Sequence, residues 1–162
     1  MLRGDGGTGK STIVRKIAHD WASPETVKSY FVHRFKTVLF VEGRKLGERG
    51  MQACLDDMIE IKSEKNHNWL VENSNQILLI VDGVDEIGEA KEGSISGWED
   101  LVKILKKEKY PGMNVILTTR PSQASSLEQY CDRIVDNLGF NREQSKRYIH
   151  AYFHEDVSLA QS

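Results

Sequence analysis

Residues Gly4 to Ser11 read G-D-G-G-T-G-K-S and satisfy every fixed position of the pattern GxxxxGK[ST]. No other stretch limits the fold so tightly. Glycines let the backbone curl until successive N–H groups point inward, and such a ring of donors cradles phosphate oxygens. In a loop of this kind Gly4, Asp5, Gly6, Gly7, Thr8 and Gly9 form the backbone cradle. Lys10 reaches the β- and γ-phosphates, the Ser11 hydroxyl ligates Mg²⁺, and Thr12 completes the binding segment. Thr12 to Trp21 reads as a helix, which sets the phosphates at the positive end of its dipole. The fixed positions coincide by accident in about one chain in two hundred of this length, so context has to decide. The loop should follow a strand. Met1, Leu2 and Arg3 read as the tail of one whose earlier residues are cut away.

A chain of 162 residues is long enough for one domain with a substantial core. With 39% hydrophobic and 28% charged residues it reads as a soluble globular protein. A net charge of −2 supplies no basic field for nucleic acid or an anionic membrane. The longest apolar run, Ile77 to Val81, is far too short to span a bilayer. A glycine loop stands where a signal peptide would need an apolar stretch, so secretion is not expected. There are two cysteines and no Asn-x-Ser/Thr acceptor, which fits a reducing, cytoplasmic setting. Cys54 and Cys131 read as small buried or half-buried thiols.

Helical and strand-like stretches alternate. Ile13, Val14, Ile17, Ala18 and Trp21 form a helical stripe that Ser23-Pro24 ends. Thr37 to Val41 is a short β-rich run. Gly47 to Gly50 reads as a break, and Met51, Leu55, Met58, Ile59 and Ile61 as a helix after it. Ile77 to Val81 is continuously apolar, as a strand covered on both faces must be. Trp98, Leu101, Val102 and Leu105 make another helical stripe, with Lys103, Lys106, Lys107 and Lys109 on its solvated side and Pro111-Gly112 as its stop. Val115 to Thr118 reads as a buried strand and Arg133 to Val135 as a short one. Asn141 caps a last helix, with Gln144 at the matching capping-box position and Tyr148, Ile149, Tyr152 and Phe153 as its apolar face. Gly83 to Gly97 reads as a mobile loop beside the site. This alternation predicts an α/β three-layer sandwich of the P-loop type, with a mostly parallel sheet and a first strand largely truncated.

Two further constellations accompany the loop. Ile77 to Glu86 reads I-L-L-I-V-D-G-V-D-E, a buried strand that delivers Asp82 at its C-terminal edge, where a Walker B carboxylate holds Mg²⁺ directly or through water. Asp85 and Glu86 follow. Either can orient an attacking water, and the assignment adopted is Glu86 as general base with Asp85 as a Mg²⁺ or outer ligand. Val115 to Pro121 reads V-I-L-T-T-R-P, and Arg120 after that strand is suited to meet the γ-phosphate, as arginine fingers do.

In this order the phosphate loop, D-G-V-D-E, L-T-T-R-P, and L-G-F before a helix with Y-I-x-x-Y-F resemble the NACHT domain, of the signal-transducing STAND group of P-loop NTPases. Asp20-Trp21-Ala22 and Gly43-Arg44-Lys45-Leu46 fit the same pattern, so the resemblance covers nearly the whole chain. It implies an ATP/ADP-driven switch in which Lys10, Ser11, Asp82, Glu86 and Arg120 match the functional positions. It also implies self-association through a full-length protein and a phosphate-loop strand inside the sheet. On this reading residues 1–154 are an N-terminally truncated NACHT-like domain and 155–162 begin a linker to a further helical domain. The isolated chain is then expected to fold poorly and to bind ATP weakly.

His150 and His154, four apart on a helix, read as surface residues rather than a metal pair, since no third ligand is evident. The guanine-reading Asn-Lys-x-Asp is absent from the chain, which favours ATP. The alternatives are a stand-alone ATPase or kinase, and a non-hydrolysing remnant. A kinase should carry an arginine-rich lid, which neither Arg44–Arg49 nor Arg142–Arg147 resembles. A transporter ATPase would need L-S-G-G-Q, which is not in the chain.

Overall fold

Ile77–Asp82 (β3) is the best-covered strand, with all six residues buried. The computed structural model describes residues 1–23, 34–59, 63–87 and 97–153. Ile77, Leu79 and Val81 of β3 join one core cluster, and Leu78 and Ile80 join the other. A strand with five apolar residues in a row, Ile77 to Val81, is stable only between two apolar layers, and β3 lies between two. The sheet also contains Leu2–Arg3 (β1), Thr37–Glu42 (β2), Asn114–Thr119 (β4) and Val135–Asp136 (β5). Its order is β2-β3-β4-β1-β5, and each pairing is parallel. The two-residue β1 is interior, with Leu2 opposite both Thr118 and Val135.

Lys10–Ala22 (α1) covers one face through Val14, fully buried against Phe35, Leu78 and Ile80. The Trp21 indole N–H donates to the Phe35 carbonyl at 2.9 Å and pins the end of α1 to the approach to β2. Gly43–Met58 (α2), Ser63–Asn73 (α3) and Gly97–Leu105 (α4) contribute Leu46, Leu55, Leu70 and Leu101 to the other face. Burying a side chain of this kind contributes about 1.5–3 kcal/mol before entropy is counted. Pro121–Glu128 (α5) follows β4, and Arg142–Tyr152 (α6) follows β5.

Several expectations are corrected. The break at Gly47 to Gly50 is confined to Gly50 (φ 77°, ψ 164°), and helix runs on both sides of it from Gly43 to Met58. Helices α3 and α5 have no clear signal in the sequence, because S-E-K-N-H-N-W and P-S-Q-A-S-S lack a strong apolar stripe. Helix α4 ends at Leu105, well before Pro111-Gly112. Its lysine side is not simply solvated. Lys109 pairs with the buried Asp100 at 3.1 Å, and Lys106 lies over the Tyr130 ring. The short strand after α5 is Val135–Asp136 rather than Arg133 to Val135. Helix α6 has the expected capping box, with Gln144 N–H on Asn141 Oδ1 at 2.9 Å, but none of its residues is buried. Ile61, most of the Gly83–Gly97 loop, His154 and the segment 155–162 lie outside the described residues. No helix among those described is long and apolar enough to cross a membrane.

Candidate functional site

The phosphate loop crosses from β1 to α1 at the C-terminal edge of the sheet. Gly7 and Gly9 have φ of 79° and 93°, which residues bearing a Cβ rarely adopt. Gly9 is the residue before the helix, so the curl of the loop feeds directly into the first turn of α1. Asp5, Gly6, Gly7, Ser11 and Thr12 are exposed, whereas Gly4 is buried. The Lys10 ammonium lies across the loop and donates to the Gly4 and Asp5 carbonyls at 2.7 Å each. An ammonium has three protons, so one remains for an incoming oxygen.

The loop is held from the far side as well. Asn137 Nδ2 donates to the Thr8 carbonyl at 3.0 Å. A Cβ at Gly4 would stand 2.3 Å from the Asn137 carbonyl oxygen. The segment after β5 is therefore a backbone clamp on the loop. Sequence reading assigned no role to Asn137, since one asparagine in D-N-L-G-F carries no pattern of its own.

Asp82 ends β3 and is only 7% exposed. Its Oδ1 accepts the Ser11 hydroxyl at 3.0 Å and the Thr118 hydroxyl at 2.7 Å. Thr118 in turn accepts the Gly83 N–H at 2.7 Å. Thr118 is the residue that sequence reading missed. The doubled threonine of L-T-T-R-P was the available signal, and only the register of β4 tells which hydroxyl faces Asp82. Ser11, Asp82 and Glu86, with Arg15, Glu42, Arg44 and Gly83, line one cleft of about 300 Å³. The paired Ser11 hydroxyl and Asp82 carboxylate are hard oxygen donors and suit Mg²⁺, which is held by few protein oxygens, with phosphate and water completing its shell.

Asp85 and Glu86 lie in the 3₁₀ turn Val84–Glu86. Glu86 is exposed in the cleft. Asp85 is outside the cleft lining and pairs with Arg120 instead, Oδ2 to Nε 3.0 Å. The turn is packed hard against the start of α2. A Cβ on Gly43 would fall 1.9 Å from the Gly83 carbonyl oxygen. The described residues hold no group of three or more His, Cys, Asp or Glu side chains fit for a metal, and His150 sits on α6, remote in sequence from the loop.

The family model for the NACHT domain matches residues 1–156. The NACHT, LRR and PYD domains-containing protein 3 of Macaca mulatta is 29% identical over 174 residues, covering 97% of this chain and 16% of that protein. The NACHT, LRR and PYD domains-containing protein 10 of Homo sapiens is 29% identical over 168 residues, covering 96% of this chain and 25% of that protein. The chain thus spans a quarter or less of these relatives' length. A Walker-type ATPase of Pyrococcus abyssi superposes with a TM-score of 0.57 at 15% identity, over 95% of this chain and 52% of that one. At that identity the likeness shows the fold alone, an α/β P-loop sandwich. The family match and the fold together mark a nucleotide-binding domain.

Proposed function

The chain belongs to the NACHT domain family, and on that premise we propose that it is an ATP/ADP-operated switch within a larger, self-associating, cytoplasmic receptor of the innate-immunity type. The observation that carries the reading is the Ser11 hydroxyl donating to Asp82 at 3.0 Å. It joins the phosphate loop to the end of β3 across one cleft, as a site for a metal-bound triphosphate requires.

The Gly4 N–H is committed to the Thr119 carbonyl at 3.2 Å, so backbone N–H groups after it, as far as Thr12, bind the phosphates, and the third proton of Lys10 adds a charge-assisted bond. Ser11 and Asp82 hold Mg²⁺, which neutralises charge on the phosphate oxygens when bound. Glu86, exposed in the same cleft, orients the attacking water and takes its proton. Arg120 meets the γ-phosphate, so that ATP and ADP are bound with different strength. Only such differential affinity can move a conformational equilibrium. Hydrolysis is slow and serves to reset the switch.

Equilibrium binding of Mg²⁺-ATP to the full chain and to Lys10→Ala tests the reading. Losing an ammonium that faces two phosphates removes about 1.5–3 kcal/mol, so affinity should fall about tenfold or more. Equal affinity in a variant of unchanged circular dichroism would reject the site.

A further inference from the structure

Of the three acids in D-G-V-D-E, Asp82 and Glu86 line the cleft with Ser11, whereas Asp85 and its partner Arg120 both stand just outside that lining. The Asp85 side chain is 13% exposed, and its Oδ2 lies 3.0 Å from Nε of Arg120, which is 63% exposed. Among the described residues the Arg120 side chain has no other ion pair and makes no hydrogen bond. Nε is the guanidinium nitrogen nearest the main chain. A carboxylate that engages it leaves the two terminal nitrogens available.

The two partners are not equally mobile. Asp85 sits in a turn closed by the Glu86 N–H on the Gly83 carbonyl at 2.9 Å and the Ile87 N–H on the Val84 carbonyl at 3.1 Å. Val84 beside it is 1% exposed and part of the core. The acid is fixed, and the long exposed arginine is what the pair restrains. We infer that Asp85 is a positioning residue that holds Arg120 by Nε, leaves its terminal nitrogens for the γ-phosphate, and thereby sets the preference for ATP over ADP. A free arginine must freeze several rotors when it meets a phosphate, and one already held has lost that freedom beforehand. The inference rests on the switch reading, in which Arg120 meets the γ-phosphate, and it replaces the expected role of Asp85 as a Mg²⁺ ligand.

The test is equilibrium binding of ATP and of ADP, each titrated with Mg²⁺, to the full chain as wild type, Asp85→Asn, Asp85→Glu, Arg120→Ala and the Asp85→Asn/Arg120→Ala double variant. Asp85→Asn is expected to lower the ATP:ADP affinity ratio about fivefold, the scale of one well-oriented partly exposed pair. Asp85→Glu should recover most of that ratio. In the double variant the ratio should equal that of Arg120→Ala alone, because Asp85 acts only through the arginine. An unchanged ratio in Asp85→Asn beside a lowered one in Arg120→Ala overturns the inference and leaves the switch reading standing. A raised ratio in Asp85→Asn overturns it too, since Asp85 would then be competing with the phosphate for Arg120. A changed Mg²⁺ requirement overturns it in favour of a metal-ligand role. An unchanged ratio in Arg120→Ala removes the arginine's role in the switch, and the inference with it.

Discussion

The Thr118 hydroxyl donates to Asp82 Oδ1 at 2.7 Å while accepting the Gly83 N–H, also at 2.7 Å. One side chain of β4 thus fixes both the carboxylate at the end of β3 and the glycine that turns the chain after it. Thr118 is 1% exposed, so its own hydroxyl is closed off from water.

Thr118→Val keeps the shape and removes the hydroxyl. The half-buried Gly83 N–H and the Asp82 carboxylate would each lose a partner, a loss of about 1 kcal/mol. Urea denaturation should show a lower midpoint at unchanged slope, and Thr118→Ser should lose clearly less. Identical midpoints for Val and wild type would mean that the hydroxyl bridge contributes nothing.

Glu86→Gln should slow hydrolysis by on the order of a hundredfold or more while changing ATP affinity little. The base acts only as water attacks, whereas the Asp82 contacts exist before it. Single-turnover rates measured above the dissociation constant separate the two effects. Normal turnover in Glu86→Gln would move the general base elsewhere.

Gly43→Ala should destabilise the domain severely, by about 3 kcal/mol or more, because the new Cβ would meet backbone rather than a side chain that can turn aside. The Gly83 carbonyl oxygen and carbon lie 1.9 and 2.8 Å from its position. Gly6→Ala is the control: a Cβ there meets nothing within 4 Å, and stability should stay within about 0.5 kcal/mol. Thermal melts of the two variants should therefore diverge, and a wild-type melting temperature for Gly43→Ala would refute the close packing.

The hydrogen bond from the Arg3 guanidinium, and its charge, hold the Asp136 carboxyl below its ordinary value of 3.8. Nε donates to Oδ1 at 2.5 Å and Nη2 to Oδ2 at 3.2 Å, and the guanidinium also reaches Glu128. A carboxyl with a lowered folded pKa stabilises the fold fully above its unfolded pKa, and that contribution is lost as the pH falls below it. Wild type should exceed Asp136→Asn in urea midpoint at pH 7, and the gap should close as the pH drops from about 4 towards 2. Because Asp136 is half exposed, added salt should narrow the gap at pH 7. A gap that widens in acid would contradict the assignment.

Much of this was legible in the chain, for reasons that can be named. The curl at Gly7 and Gly9 follows from residues without a Cβ, so the loop is encoded where it is read. The burial of β3 follows from I-L-L-I-V, which has no polar face to offer water. Helix α6 began where Asn141 and Gln144 said it would, because a capping box is a contact between near neighbours. What stayed hidden was either weakly patterned or remote. Helix α2 crosses Gly47 because a glycine inside a helix costs only about 1 kcal/mol, and packing of Leu46 and Met51 outweighs it.

The sequence by itself determined the chemistry on offer: a phosphate cradle, hard oxygen donors at Ser11 and Asp82, further acids at Asp85 and Glu86, and a cation at Arg120. These are properties of residue type and short spacing. Tertiary structure alone decided how they are shared out. Asp85 pairs with Arg120 across 35 positions, Thr118 with Asp82 across 36, and Asn137 reaches Thr8 across 129. Such pairings depend on which strands become neighbours and in what register. Sheet order is set by the joint burial of all the apolar faces at once, a sum over the whole chain that no local stretch contains.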